Sequence, residues 1–90
     1  MEVTFKSSFF KDLQAVPMNV KKEVDDCISK LAAASTLQSS GVDYKKMKGK
    51  RNEHYYRIRI GKYRIGCKYI NPDILLITIL SRGDIYKHFP

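Results

Sequence analysis

The segment YYRIRIGKYRIGCKYI, residues 55–70, decides the fold of this chain. Apolar and polar side chains alternate along both halves of the segment, and this period of two is typical of a half-buried β-strand. Gly61 and Lys62 stand between the two halves and fit a tight two-residue connection. The segment therefore predicts a β-hairpin.

A third strand follows the hairpin. After the turn signal of Asn71, Pro72 and Asp73, the chain continues as ILLITIL, residues 74–80. A nearly continuous apolar run between turn residues is typical of a central strand that is covered on both faces. We therefore expect three consecutive antiparallel strands in the second half of the chain.

The first half of the chain predicts one short strand and two helices. Residues 2–5 alternate polar and apolar, as a brief strand does. Ser7 or Ser8 can cap a first helix, which should stop near Pro17 because the residue before a proline is pushed out of the helical region. A second, strongly amphipathic helix follows, with apolar side chains from Val20 onward at helical spacing.

These elements predict an α+β fold. A short N-terminal strand, two helices and a three-stranded antiparallel meander would give a twisted four-stranded sheet with helices on one face. With 90 residues in all, we expect a single domain over residues 1–90, since half of that length could not bury its own core. The C-terminal GDIYKHFP either forms a short helical turn or crosses the end of the sheet.

Membrane segments and disulfides are not expected. No apolar run approaches the about 18 residues that a membrane span requires, and the N-terminus lacks the features of a signal peptide, so we expect a cytoplasmic protein. Cys27 and Cys67 are far apart in sequence and lie among apolar neighbours. They should be packed, reduced thiols.

Positive charge is concentrated in the second half of the chain. Residues 1–43 hold five Lys and six acidic residues, whereas residues 44–90 hold twelve Lys or Arg and three acidic residues. The two halves therefore have net charges of −1 and +9. Such asymmetry within a small domain favours a polyanion or an acidic protein as the partner, although a solvated basic surface is the simpler alternative.

Arginines of the hairpin should share one face of the sheet. The alternation places Arg57 and Arg59 on the same side of the first strand and Arg64 on the matching side of the second. Like charges held close across strands repel, so this arrangement favours a bound anion, whereas the simpler alternative is a half-solvated strand that exposes its arginines. The planar guanidinium also suits phosphate, because it donates to two oxygens at once.

Further basic and aromatic residues flank this face. Tyr86 follows Arg82 after the third strand and can either stack on a base or pack as an ordinary aromatic. Seven more cations are candidates for contact with a polyanion such as RNA: Lys45, Lys46, Lys48, Lys50, Arg51, Lys62 and Lys68. His54 and His88 are the only histidines and lack ligand spacing, so neither a metal site nor a cofactor is expected.

Three stretches resemble the RelE branch of the RelE/ParE toxin superfamily. They are MEVTFKSSFFKDLQAVP at the start, KKMKGKRNEHYYRIRIGKYRIGCKY in the middle and ILSRGDIYKHFP at the end. The resemblance runs along essentially the whole chain. It implies the fold of a strand, two helices and an antiparallel sheet that the periodicity also predicts.

The resemblance implies a type II toxin that cleaves mRNA in the ribosomal A site, beside rRNA, and is neutralised by an acidic RelB-like antitoxin in a heteromeric complex. It also implies a catalytic set at positions matching the family's site, without a metal or cofactor. In this sequence those positions are Arg57, Arg59, Arg64, Arg82 and Tyr86.

One departure leaves the general base open. Some relatives carry lysines at the positions of Arg57 and Arg59, and lysine can lose a proton near neutral pH whereas arginine essentially cannot. Glu53, His54, Tyr86 and His88 are the substitutes available by sequence, and catalysis by charge stabilisation alone is a further option. Two alternatives to a ribonuclease follow: a ParE-like inhibitor of DNA gyrase, and a catalytically weakened, antitoxin-bound homologue.

Overall fold

A computed structural model describes residues 1–49, 51 and 53–90 of the chain. The helices are α1 (Ser7–Leu13), α2 (Met18–Ala33) and α3 (Arg82–His88). The strands are β1 (Glu2–Phe5), β2 (Tyr44–Lys46), β3 (Tyr55–Ile60), β4 (Tyr63–Ile70) and β5 (Asp73–Ser81). None of these helices is long and apolar enough to cross a bilayer.

The strands form one mixed sheet in the order β1-β5-β4-β3-β2. The predicted antiparallel meander is confirmed, because β4 pairs with β3 on one side and with β5 on the other. Its first connection places Gly61 at φ +57°, a conformation that glycine adopts without steric cost. β1 pairs with β5 in parallel, so the first and last strands of the chain are neighbours in the sheet.

The sheet has five strands and not the four predicted. The additional strand, β2, has three residues and pairs antiparallel with β3 through Tyr44↔Ile58, Lys45↔Arg57 and Lys46↔Tyr56. A three-residue edge strand with two lysines carries no alternation that a sequence pattern could detect. Its pairing partner, and not its own composition, makes it a strand.

The main core lies between the sheet and helices α1 and α2. The helices bury Phe9, Val20, Val24, Cys27 and Leu31 against Ile58, Ile65, Cys67, Ile74, Leu76 and Ile79 of the sheet. Both cysteines are free and buried, which confirms the prediction of packed thiols. Burial raises the pKa of Cys27 to about 11 and that of Cys67 to about 12, so both remain protonated near neutral pH.

The two predicted helices share one face of the sheet, as expected, and the additional helix α3 packs on the opposite face. Ile85 and Phe89 are buried there with Met47 and lie against Ile77 and Leu80. Phe89 takes the space above a strand glycine: a Cβ added at Gly66 would lie 2.7 Å from carbons of its ring. The second small core therefore depends on α3, which the sequence left as one of two options.

Helix α1 begins and ends differently from the prediction. Lys6 is its N-cap and makes no side-chain capping bond, and the helix ends at Leu13, before the turn that leads to Pro17. The Ser8 hydroxyl donates instead to the carbonyl of Ile77. The pairing of β1 with β5 ends at Leu76, and α1 lies beside the part of β5 that follows. The Ser8 hydroxyl therefore finds a backbone partner outside its own helix.

Candidate functional site

The strand register gathers four cations on the face of the sheet that carries α3. Arg59 pairs directly with Arg64, and Arg57 pairs with Gly66 on one side and Lys45 on the other. Directly opposed residues of antiparallel strands point to the same face. The structure therefore brings Arg57, Arg59 and Arg64 together, and it adds Lys45 from the edge strand.

These cations surround a cavity of about 160 Å³, here called the site cavity. Its walls are formed by Asp43, Tyr44, Lys45, Arg57, Arg59, Arg64 and Tyr86. Four positive side chains and one carboxylate thus share a space suited to a small, highly charged group. Sequence reasoning missed Asp43 and Tyr44, since both depend on the unpredicted strand β2 for their position.

Tyr86 forms an aromatic wall of the site cavity. The guanidinium carbon of Arg57 lies 5.1 Å from the centre of the Tyr86 ring, within the range of a cation–π interaction. Arg57 also donates from Nη1 to the Sδ atom of Met47 at 3.8 Å. Tyr86 remains 57% exposed, so much of its ring is available to another flat group.

Arg64 is the electrostatic centre of the site. Its Nη1 atom donates to the backbone carbonyls of Gly61 and Tyr63, both at 2.8 Å, which fixes the plane of the guanidinium. Partial burial lowers the pKa of Arg64, and the charges of Arg59, Arg82 and Arg57 lower it further, while Tyr86 opposes the shift. Neighbouring cations therefore disfavour the charged form of Arg64, and a bound anion would relieve that repulsion.

The carboxylate of Asp43 partly neutralises the positive charge of Arg59. Its Nη1 atom lies 3.8 Å from Oδ2 of Asp43, and both side chains are about two-thirds exposed, at 65% and 63%. The backbone of the same pair is also joined, because Arg59 N–H donates to the Asp43 carbonyl at 2.8 Å. The exposed ion pair contributes little to stability, but the backbone bond fixes where Asp43 enters the cavity.

Arg82 lies in an adjoining depression and not in the site cavity itself. This rim depression, of about 640 Å³, is lined by Arg59, Gly61, Lys62, Arg64, Ser81, Arg82 and Gly83. Backbone N–H of Arg82 donates to the carbonyl of Lys62 at 2.9 Å, which joins the start of α3 to the hairpin turn. Arg59 and Arg64 border both spaces, so Arg82 and Lys62 extend the basic surface beyond the site cavity.

The remaining predicted cations are dispersed. Lys46 pairs with Tyr56 and therefore lies on the opposite face from Arg57. Lys68 shares the basic face, but its Nζ lies 5.9 Å from the Tyr55 ring centre, farther along β4. Lys48 and Arg51 are exposed in the segment between β2 and β3. Lys50 lies outside the described residues.

Of the residues that the sequence offers as a general base, only Tyr86 lines the site cavity. His88 lines a different space, shared with Lys6, Asp12 and Phe89. Glu53 and His54 are exposed at the turn before β3. Within residues 1–49, 51 and 53–90, no three His, Cys, Asp or Glu side chains are grouped closely enough to hold a metal ion.

A larger cavity of about 300 Å³ lies between α2 and β3. Its walls include the acidic Glu23 and Asp26 together with Lys30 and the protonated thiol of Cys27. Asp43 and Arg59 border this cavity as well, so acidic side chains outnumber basic ones in its walls, in contrast to the concentration of cations in the site cavity. We therefore regard the smaller, basic cavity as the functional candidate.

A five-stranded sheet with two helices on one face, a short C-terminal helix on the other and a basic cavity beside that helix defines a RelE-like toxin domain. A family model described as ParE toxin of the type II toxin–antitoxin system parDE matches residues 3–86. Toxin RelE3 of Methanocaldococcus jannaschii is 39% identical over 90 residues, which is the full length of both chains. The chain belongs to this toxin family and resembles its RelE branch.

Solved structures agree with this assignment. A RelB–RelE antitoxin–toxin complex from Methanococcus jannaschii contains a chain 36% identical, with a TM-score of 0.80, covering 97% of this chain and 99% of that one. An archaeal RelE–RelB complex from Pyrococcus horikoshii OT3 gives 21% identity and a TM-score of 0.69, with coverage of 91% and 94%. The latter match supports the fold alone.

Proposed function

We propose that this toxin is an endoribonuclease that cuts mRNA in the ribosomal A site without a metal ion. The observation that carries the proposal is the site cavity, where Arg57, Arg59, Arg64 and Lys45 surround a space walled by Tyr86. A phosphate would supply further negative charge to a cavity in which four cations face one carboxylate. A base beside that phosphate can stack on the exposed ring of Tyr86.

The reaction that fits this arrangement is attack of an RNA 2′-hydroxyl on the adjacent phosphate. The 5′-oxygen leaves, and the phosphorane transition state carries more negative charge than the substrate. Fixed guanidinium donors stabilise that extra charge, which is the difference that accelerates a reaction. Arg64 and Arg82 would clamp the phosphate from the site cavity and the rim depression, and Arg57 and Arg59 would complete the cationic wall.

Dependence on the ribosome follows from the same composition. The cavity is rich in groups that hold and neutralise charge and poor in groups that transfer protons near neutral pH. In-line alignment of the 2′-oxygen with the leaving group is a separate requirement, and a ribosome-bound message is held in a fixed conformation. We propose that the ribosome supplies this alignment, with exposed lysines such as Lys48 and Lys62 facing rRNA.

We also propose an acidic, RelB-like antitoxin as the partner in a heteromeric complex. The relatives from Methanococcus jannaschii and Pyrococcus horikoshii are seen in complexes with RelB. The net charge of +9 on residues 44–90 favours an acidic partner. Phe10 and Met18, 51% and 66% exposed on α1 and α2, offer apolar anchors.

Primer extension on a translated message tests the nuclease. Purified toxin added to ribosomes stalled on a defined codon should produce new RNA ends within the A site, and the same RNA without ribosomes should remain largely intact. The variant Lys22→Ala removes one positive charge from α2, on the other face of the sheet, and should cut like the wild type. Intact message in the presence of ribosomes and wild-type toxin would refute the proposal.

Inhibition of DNA gyrase is the second candidate, because the matching family model carries the ParE description. A supercoiling assay with purified gyrase separates the two functions. Loss of supercoiling at toxin concentrations that leave ribosome-bound mRNA intact would favour the ParE-like activity. Inactivity in both assays, together with harmless expression in cells that lack the antitoxin, would identify a weakened homologue.

A further inference from the structure

The site cavity contains a carboxylate that neither the sequence pattern nor the resemblance pointed to. Asp43 precedes β2 and lines the cavity beside Arg57, Arg64 and Tyr86. It is the one acidic residue among the seven that form the walls. A negative charge at an anion site weakens phosphate binding, so its presence there calls for a chemical explanation.

The proposed reaction explains the presence of a carboxylate, because a 2′-hydroxyl must lose its proton as it attacks. Arginine is protonated throughout the physiological range and cannot accept that proton. Arg57, Arg59 and Arg64, three of the seven residues in the walls, are therefore not candidates for the base. A carboxylate oxygen, by contrast, can accept that proton through its lone pairs.

The local structure sets where this carboxylate enters the cavity. The Asp43 carbonyl accepts from Arg59 N–H at 2.8 Å, and its Oδ2 atom lies 3.8 Å from Arg59 Nη1. Its side chain is 63% exposed, so one oxygen can face a substrate while the other faces Arg59. A carboxylate anchored at the backbone and oriented by a neighbouring cation has the properties required of a positioned base.

We propose that Asp43 is the general base of the RNA cleavage reaction, an assignment that rests on the nuclease function proposed above. Its carboxylate takes the proton from the ribose 2′-hydroxyl as the 2′-oxygen bonds to phosphorus. The bond between phosphorus and the 5′-oxygen then breaks, and the leaving oxygen takes a proton from water. The products are a 2′,3′-cyclic phosphate and a 5′-hydroxyl, and Asp43 returns its proton to solvent.

The other acidic and imidazole candidates are less well placed. His88 lies with Phe89 and Lys6 around a separate cavity. Glu53 and His54 are exposed in the turn that precedes β3. Tyr86 does border the site cavity, but its ring contacts Arg57 and its hydroxyl carries a proton that it can donate, which suits a stacking or donating group.

Single-turnover cleavage on stalled ribosomes tests the assignment. Asp43→Asn should slow cleavage by about 100-fold or more, the range that general base catalysis contributes, while Asp43→Glu should retain substantial activity. Asp25→Asn makes the same charge change on the exposed face of α2 and serves as the matched control. Its rate should equal that of the wild type.

The dependence of the rate on pH separates a base from a residue that only holds Arg59. The wild-type profile from about pH 6 to 8 is the reference, and an ordinary carboxylate gives no titration midpoint in that range. Asp43→His should instead lose activity on acidification with a midpoint near pH 6.5, the ordinary pKa of histidine. A purely structural role would give no such midpoint.

The outcomes distinguish this proposal from the one on which it rests. Wild-type cleavage with an undiminished rate in Asp43→Asn overturns the assignment of Asp43 and leaves the nuclease standing. A slow Asp43→His variant with the same pH profile as the wild type also overturns it. Absence of cleavage by the wild type overturns the nuclease, and the assignment of a base falls with it.

Discussion

Replacing Arg64 should abolish most of the cleavage activity without weakening the fold. Two backbone carbonyls, of Gly61 and Tyr63, each accept from its Nη1 atom at 2.8 Å. Nη1 is thus engaged by the backbone, and in the proposed reaction Nη2 and Nε are the donors that remain for a phosphate. A preorganised donor of this kind is ready before the transition state forms and needs no reorganisation during the reaction.

The size of the expected rate loss follows from the effect of removing comparable hydrogen-bond donors in other enzymes. Removing one preorganised donor to a developing oxyanion costs about 2.7–4 kcal/mol, a factor of about 10² to 10³ in rate, so Arg64→Ala should lose activity on that scale. Arg64→Lys keeps the charge but loses the planar fork. With one charge-assisted hydrogen bond lost, at about 1.5–3 kcal/mol, its rate should fall by at least about tenfold.

The free energy of unfolding should change much less than the cleavage rate when Arg64 is replaced. Arg64 stands among Arg57, Arg59 and Arg82, whose charges lower its pKa, so truncation relieves repulsion while it removes the two bonds to backbone carbonyls. These contributions oppose each other, and the free energy of unfolding of Arg64→Ala should stay within about 1 kcal/mol of the wild type. Denaturant unfolding measures this quantity directly.

Single-turnover cleavage and unfolding should therefore be measured on the same preparations. Lys22→Ala is the matched control, since it removes one positive charge from an exposed helical position. An Arg64→Ala protein that cuts as fast as Lys22→Ala would refute the reasoning. So would a loss of activity that simply parallels a loss of folded protein.

Three further predictions concern the fold. Gly66→Ala should lower the free energy of unfolding by about 1–3 kcal/mol, because the new Cβ would lie 2.7 Å from the Phe89 ring; Gly83→Ala, with no atom within 4 Å of its added Cβ, is the control for denaturant unfolding. Leu31→Ala should cost about 2–5 kcal/mol in the same measurement, since Leu31 is fully buried in the main core. Stability should fall as pH rises above about 9, because unfolded Cys67 ionises near its ordinary value of 9.0 while its folded pKa is about 12; Cys67→Ala should show a shallower fall.

Each of these predictions has a contradicting result. Equal stability of the Gly66→Ala and Gly83→Ala proteins would mean that Phe89 does not pack over β4 as described. A negligible effect of Leu31→Ala would contradict its place in the main core. Identical pH dependence for the wild type and Cys67→Ala would mean that the thiol is not protected from ionisation by burial.

The hairpin and the strand after it were determined by local sequence. Period-two alternation acts at the level of single strands, because neighbouring side chains of a strand must point to opposite faces. It therefore predicted correctly that Arg57, Arg59 and Arg64 share one face, as the pairing of Arg59 with Arg64 shows. The buried thiols were predictable for a related reason, since their apolar neighbours had to enter the core.

Tertiary pairing alone decided β2 and the second face of the sheet. Residues 44–46 have no apolar period and become a strand because the edge of β3 offers hydrogen-bond partners. Helix α3 is stabilised on the opposite face by Phe89, which fills the space above Gly66. Neither effect is local, because each depends on surfaces that exist only once the sheet has formed.

The sequence by itself determined the class of fold, the basic half of the chain and the shared face of the three arginines. Only the tertiary structure brought Tyr86 against Arg57, placed Arg82 in the adjoining depression and brought Asp43 into the site cavity. The physical reason is the range of the interactions involved. Strand period and charge are properties of neighbouring residues, whereas a cavity is formed by residues that meet only after β2 and α3 have packed onto the hairpin.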